Sequence, residues 1–379
     1  MMDNRASAPP SNSQALVSVI IPAYNAEPFI RATLASVLSQ TYKNIEVLVV
    51  DDGSTDHTAE IVQTIADRDC RVSLLRSSNN GVAAARNLAI QNSVGEYIAP
   101  LDADDIWYSQ KLARQMEYFD SAGSEVGLVY GWSVVIDESG QLTGAYIAAD
   151  VEGHAFLSLV YSNFIGNASA PLVRRSCLDH VGGYDGRYVE CDAQGGEDHD
   201  LYLRIAEHYR FGVVREFLVG YRQIKGSMSS NVTSMAKANA LLLSEVRRRH
   251  PALPERFYRW AKSHAYEYLA RKCNYSGDRW GALRWFSRAV ALDPGLLWHR
   301  RLYALEIRNL IGLSMRPVLG SVREHLSRSN GAGRGRHAVA GISIADIEQR
   351  RNSHTGSRDL LAERRQRYLC EMEGGYWTQ

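Results

Sequence analysis

The chain has 379 residues, 45% of them apolar and 22% charged, and its formal net charge is +1. One large or two modest globular domains are expected, and neither a disordered chain nor a partner bound through bulk charge, nucleic acid included, is indicated. Residues 301–379 hold 13 Arg against 8 Asp and Glu, a net of +5, so the first 300 residues carry −4 and a basic tail follows a mildly acidic body.

Residues 1–14 are polar, contain Pro9 and Pro10, and read as a flexible tail without an apolar leader. Strand and helix signals then alternate. Val17–Ile21 is a β-rich run stopped by Pro22, and Glu27–Gln40 has helical spacing. Ile45–Val50 is a second strand ending in Asp51-Asp52-Gly53-Ser54-Thr55-Asp56, followed by a helix over Thr58–Ala66. Val72–Leu75 is a third strand, Gly81–Gln91 an alanine-rich helix, Tyr97–Leu101 a fourth strand, Gln110–Phe119 a helix and Leu128–Ile136 a further strand. This order predicts an α/β fold with a mostly parallel sheet covered on both faces. Past Val151, short helices over His154–Tyr161 and Asp198–His208 mix with strand-like Ala170–Val173 and Phe217–Tyr221. From Met235 to Leu319 the pattern is helical, and Tyr266–Pro294 resembles one tetratricopeptide helix pair, which packs on the main body because a solenoid needs about three such units. The division expected is 15–230 for the α/β domain, 231–325 for a helical region and 326–379 for a largely disordered basic tail. Disorder is expected over 329–358, with room for a short helix at 359–372.

Cys70, Cys177, Cys191, Cys273 and Cys370 are odd in number and scattered, which points to a reducing compartment and away from structural zinc. No run approaches the roughly 20 apolar residues of a membrane span.

The candidate chemistry gathers after strands. Pro22-Ala23-Tyr24-Asn25 follows the first, Asp51-Asp52 the second, Asn79-Asn80-Gly81 the third and Asp102-Ala103-Asp104-Asp105 the fourth. In a parallel sheet these ends share one edge, where α/β folds bind ligands. Spaced carboxylates there suit a hard divalent cation shared with substrate phosphates. Each loop alone reads equally well as a turn or helix cap; four together do not. The glycine patterns of Rossmann dinucleotide-binding and P-loop proteins, and the nucleophile elbow of hydrolases, are absent.

Val17-Ser18-Val19-Ile20-Ile21-Pro22-Ala23-Tyr24-Asn25, Val49–Asp56, Gly81–Asn87 and Leu101–Asp105 resemble, in order and spacing, the motifs of family 2 glycosyltransferases. The resemblance continues through Gly195-Gly196-Glu197-Asp198-His199-Asp200-Leu201 to Tyr221-Arg222. It implies a GT-A fold and inverting transfer from a UDP- or dTDP-sugar to a glycan or lipid-linked acceptor, with Mn²⁺ or Mg²⁺. By that resemblance Tyr24 flanks the base, Asp52 accepts a hydrogen bond from it, Asp102 contacts ribose or diphosphate and Asp104, with Asp102, holds the metal, Asp105 being the second candidate for it. Pro22, Asn25, Gly81, Arg86 and Ala103 complete the nucleotide-sugar site. Asp198 is the implied general base and Glu197 its neighbour toward the acceptor; the bland alternative for both is a helix N-terminus. Ile224 replaces a histidine common in relatives, so Arg222 or Lys225 is left either to contact the diphosphate or to be a solvated charge. His199 is expected at the surface or behind the site. The setting expected is cytoplasmic, with a peripheral contact to the inner face of the membrane through Leu296–Leu319, or else simple packing of that stretch. A catalytically inactive GT-A scaffold working through its helical region is the rival reading. Sugar, acceptor and oligomeric state are not readable.

Overall fold

A computed structural model describes residues 15–224, 231–298 and 343–354, together with Leu369, Met372 and Glu373. Four apolar runs build the first half of the sheet: β1 (Val17–Ala23), β2 (Ile45–Asp51), β3 (Val72–Arg76) and β4 (Tyr97–Pro100), in the order β3-β2-β1-β4 and all parallel. α1 (Ile30–Leu38), α2 (Thr58–Ala66) and α3 (Val82–Asn92) connect them. With helices packed on it, this half hides both faces of its inner strands while the edge strand β3 stays partly exposed, and β1 and β4 are accordingly apolar at almost every position.

β1 runs through Pro22 rather than stopping at it. Ile20 O accepts from Leu101 N on the β4 side, and Ala23 O accepts from Asp52 N on the β2 side. Strand alternation therefore turns the nitrogen of Pro22 toward β4, where pairing has ended at Ile20–Pro100, and no ladder bond is lost.

Beyond β4 the sheet is mixed. β5 (Ile106–Trp107), β6 (Val126–Ile136), β7 (Leu142–Ile147), β8 (Pro171–Arg174) and β9 (Arg210–Arg222) extend it in the order β4-β8-β6-β9-β5, with β7 on β6. Only β6–β9 is parallel in this half. β4 and β5 are joined by Leu101–Asp105 yet stand four strand steps apart, about 19 Å in a flat sheet. Asp105 N donates to Asp102 O at 3.1 Å, so that connection is folded, not extended. The sheet must curl to close the distance, and the acidic segment sits where it closes.

α4 (Lys111–Ser121), α5 (Phe156–Tyr161), α6 (Arg175–Val181), α7 (Arg187–Glu190) and α8 (Glu197–Ala206) complete this body. α9 (Val232–Arg249), α10 (Glu255–Ser276) and α11 (Arg279–Leu292) follow. Gly277, at φ +85°, ends α10, and the Asp278 carboxylate accepts from Gly281 N to start α11. Leu242, Val246, Phe257 and Ala261 belong to the main core, whereas Ala270, Phe286, Ala289 and Leu296 form a smaller one between α10 and α11. The hairpin thus grows out of the α/β body.

The expected disorder over 329–358 does not extend to 343–354. α12 (Ile344–His354) buries Ile347 in the main core, and Arg351 lies 3.7 Å over the Trp132 ring and 2.8 Å from Asp150. A helix with one buried apolar residue is a weak signal in a polar stretch. Lys225, most of 359–372 and Leu296–Leu319 beyond Trp298 lie outside the described residues.

Candidate active site

The loops after β1 and β2 brace each other. Asn25, at φ +49°, takes a left-handed conformation that asparagine tolerates. Its N–H donates to Ser54 Oγ at 3.0 Å and its side-chain oxygen accepts from Thr55 N at 2.8 Å. Asn25 therefore shapes the rim, while Tyr24 beside it is 51% exposed, free to face a planar ligand.

Asp52 is buried, and three donors already reach it. Oδ1 accepts from Ser77 Oγ at 2.7 Å and Asn80 N at 3.0 Å, and Oδ2 accepts from Gly81 N at 2.8 Å. Gly81 enters α3 at φ +88°, a conformation that suits glycine. Asp52 thus fastens the loop after β3 to the one after β2. A carboxylate offers about four acceptor positions, so one is left for a ligand.

The acidic segment is pinned from both sides. Thr33 Oγ1, on α1, donates to Ala103 O or Asp105 O, each 2.8 Å away. Ser169 Oγ lies 3.1 Å from Asp102 N, which donates to it, and 2.6 Å from Asp105 Oδ2, to which it donates. Arg222 donates through its backbone N–H to Asp105 Oδ1 at 2.7 Å and through Nε to Asp104 O at 2.6 Å. Its guanidinium also reaches the carbonyls of Asp137 and Glu138. Arg222 is neither solvated nor free for a diphosphate; it is a buried bolt behind Asp104.

Three neighbouring carboxylates crowd one another there. Burial, then the charge of Asp102, pushes the Asp104 carboxyl up to about 7. Asp105, fully buried, is raised well above the usual range by burial and by the charges of Asp104 and Asp102. Asp104 accepts from no side chain among the described residues, and Asp102 has one oxygen uncommitted. Oxygen donors whose mutual repulsion a cation relieves fit Mg²⁺ or Mn²⁺. No group of three His, Cys, Asp or Glu among the described residues is placed to hold a metal alone, so ligand oxygens and water must complete such a shell.

Arg86 joins the two halves of the site. It is 3% exposed and lies on α3. NH2 donates to Asp102 Oδ1 at 2.6 Å and NH1 to Asp198 Oδ1 at 2.5 Å, with the guanidinium 5.0 Å from the Tyr184 ring centroid. Burial works against its charge, yet Asp198 and Asp102 hold its pKa well above the usual value.

Glu197 and Asp198 open α8, as the motif suggests, but neither is a cap on its own helix: the N-cap is Gly196, with no side-chain capping bond. Glu197 is 2% exposed; Oε2 accepts from Gly195 N at 2.7 Å, and Oε1 has no partner. Burial raises its carboxyl. Burial also raises Asp198, to about 7; Arg86 opposes the rise while Asp102 and Glu197 add to it. His199 is not at the surface. It is half-buried, and its Nε2 donates to Leu159 O at 2.7 Å.

The structure therefore brings Arg86, Asp102, Asp104, Glu197 and Asp198 together and makes Asn25 and Asp52 braces between the loops after β1, β2 and β3. Sequence reading missed Thr33, Ser169 and Tyr184. The first two are single hydroxyls set among apolar residues, 64 or more positions from their partners, and no motif marks them.

Residues 18–182 match the description Glycosyl transferase family 2. A Bacillus subtilis protein, TuaG, named as a candidate teichuronic acid biosynthesis glycosyltransferase, is 31% identical over 63% of this chain and 92% of its own length. The Escherichia coli protein WfaP, named UDP-Glc:alpha-D-GlcNAc-diphosphoundecaprenol beta-1,3-glucosyltransferase, is 45% identical over 28% of this chain and 42% of its own. Against several Rickettsia glycosyltransferases the chain spans only 31–33% of the relative's length. Among solved structures, Staphylococcus aureus TarS 1-349 in complex with UDP-GlcNAc superposes with a TM-score of 0.54 at 19% identity, over 77% of this chain and 88% of that one. The Pyrobaculum calidifontis mannosyltransferase PcManGT in complex with GDP-Man and Mn²⁺ gives 0.51 at 22% identity, over 83% and 88%. The fold is GT-A, and the chain belongs to glycosyl transferase family 2.

Proposed function

We propose that this chain transfers a sugar from a UDP- or dTDP-sugar to a hydroxyl of a surface-glycan or lipid-linked acceptor, with inversion at the anomeric carbon. The observation that carries the reading is Arg86, which ties Asp102 on the donor side to Asp198 on the acceptor side within hydrogen-bond distance of both.

Tyr24 flanks the base, and the remaining acceptor position of Asp52 takes a base N–H. Pro22, Asn25, Gly81 and Ala103 shape the nucleotide cradle through backbone. Asp104 and Asp102 would hold a divalent cation, which when bound neutralises charge growing on the leaving diphosphate. Asp198 keeps one oxygen on Arg86 and offers the other to the acceptor hydroxyl. As that oxygen attacks the anomeric carbon, its proton passes to Asp198. The new C–O bond forms as the bond to the diphosphate breaks, and the diphosphate leaves with the electron pair. A base with a pKa near 7 is ionised enough at neutral pH and still basic enough to accept the proton. A single displacement needs one base and no carboxylate nucleophile, and Asp198 is the residue proposed for that role.

The names of WfaP and TuaG support an acceptor in bacterial envelope glycan synthesis. No helix among the described residues is long and apolar enough to cross a membrane; a peripheral contact at the inner face fits a lipid-linked acceptor. The test is turnover: nucleoside diphosphate release from a panel of sugar nucleotides, with Mn²⁺ or Mg²⁺, that depends on Asp198 and Asp104.

A further inference from the structure

α5 is a six-residue helix with five residues buried, so its end groups have little water to turn to. Both ends are met by side chains from elsewhere. At the start, Leu157 N donates to Glu373 Oε1 at 3.0 Å, across 216 residues of chain. Burial pushes that carboxyl up to about 7, and its oxygen accepts whether or not the group is ionised. At the finish, Leu159 O has no helical donor, since the helix stops at Tyr161, two residues short of the position that would supply one. It accepts from His199 Nε2 instead. A carbonyl only accepts, so Nε2 carries the hydrogen. Burial holds the ring's pKa down at about 4, which keeps it neutral and its tautomer fixed by this bond.

His199 directly follows Asp198 in the first turn of α8. α5 packs on α8 and α10, with Phe156, Leu157 and Leu159 fully buried. Leu369 and Met372, which flank Glu373 on its approach, pack on the same core. The first turn of α8 thus hangs from one end of a buried helix, and Glu373 holds the other.

We propose that His199 and Glu373, at the two ends of α5, are positioning residues for Asp198, so that Glu373 is part of the active-site framework. The inference rests on Asp198 being the base. It makes Glu373, which lies in no family motif, necessary for full turnover.

Steady-state kinetics, nucleotide affinity and thermal melts on full-length variants test it. His199→Phe fills the space without a donor, and Glu373→Leu removes the acceptor. Each should lower kcat about tenfold or more while nucleotide Kd stays within about twofold. His199→Gln and Glu373→Gln, which keep a donor and an acceptor, should recover most of the loss. If the Phe or Leu variant melts early, His199→Asn and Glu373→Asp, too short to span the gap, replace it with the same outcomes. In the Asp198→Asn background none of these changes should lower turnover further. A strong Asp198→Asn defect with kcat within about twofold in His199→Phe and Glu373→Leu overturns the positioning role alone. An Asp198→Asn enzyme with normal turnover overturns the base assignment and the positioning role with it.

Discussion

Replacing Asp198 by Asn separates chemistry from architecture. The amide oxygen can still accept from Arg86 NH1, which now stands 2.5 Å from Asp198 Oδ1, and Arg86 keeps its second partner, Asp102. Gly196, not Asp198, is the N-cap of α8, so no cap is lost. What goes is the charge and the ability to take a proton. General-base catalysis contributes about 10²–10⁴-fold, or roughly 3–5 kcal/mol of barrier at 1.36 kcal/mol per tenfold. Turnover should fall by that factor with nucleotide affinity unchanged. Stability gives an independent check. Asp198 is raised from 3.8 to about 7 in the fold, so the native state holds its proton where the unfolded chain has released it. Its contribution is full below pH 4 and is lost as pH rises through 7, above which the carboxylate is ionised. Asp198→Asn also takes one of two counter-charges from the buried Arg86, so its melting temperature should fall, and the melt shows that the variant is still folded under assay conditions. Stopped-time kinetics and a pH 8 melt decide it: a folded variant with more than about a tenth of wild-type turnover would refute the base assignment.

Chelation should abolish turnover and Mn²⁺ or Mg²⁺ restore it, with the response lost in Asp104→Ala; full activity in excess chelator would contradict the metal reading. Asp52→Ala strips a buried acceptor from Ser77, Asn80 and Gly81, so it should lower the melting temperature and weaken UDP or dTDP binding by about 1.5–3 kcal/mol in titration calorimetry. Arg86→Lys keeps the charge but cannot reach two carboxylates as a fork, so kcat should drop at least about tenfold in steady-state assays. The pH profile of kcat/KM should show an acidic limb near 7, rising as Asp198 loses its proton, and that limb should vanish in Asp198→Asn.

Much of this was legible in the residues. β1 to β4 and the helices between them follow from apolar runs and punctuation, because a parallel half-sheet buried on both faces leaves a continuous hydrophobic signature. The carboxylates after β4 and at the head of α8 are readable as motifs. Three kinds of feature were not. β5 has two residues, too few for any period to show. β7, on the sheet's margin, alternates half-buried and exposed positions weakly. The partners that hold the acidic segment, Thr33, Ser169 and Arg222, act through backbone groups far away in sequence, and such contacts exist only once the sheet has curled. Arg222 shows the difference best: in sequence it is a charge near the site, and in the fold its guanidinium is spent on three carbonyls.

Group transfer with inversion is tested directly on the product. The full chain, incubated with α-configured UDP- and dTDP-sugars, a divalent cation and a polyprenyl-diphosphate-linked saccharide, should release nucleoside diphosphate and lengthen the acceptor by one sugar. The new linkage, read by NMR coupling at the anomeric proton, should be β for at least one donor. No transfer from any donor, or a product that keeps the α configuration, would contradict the account.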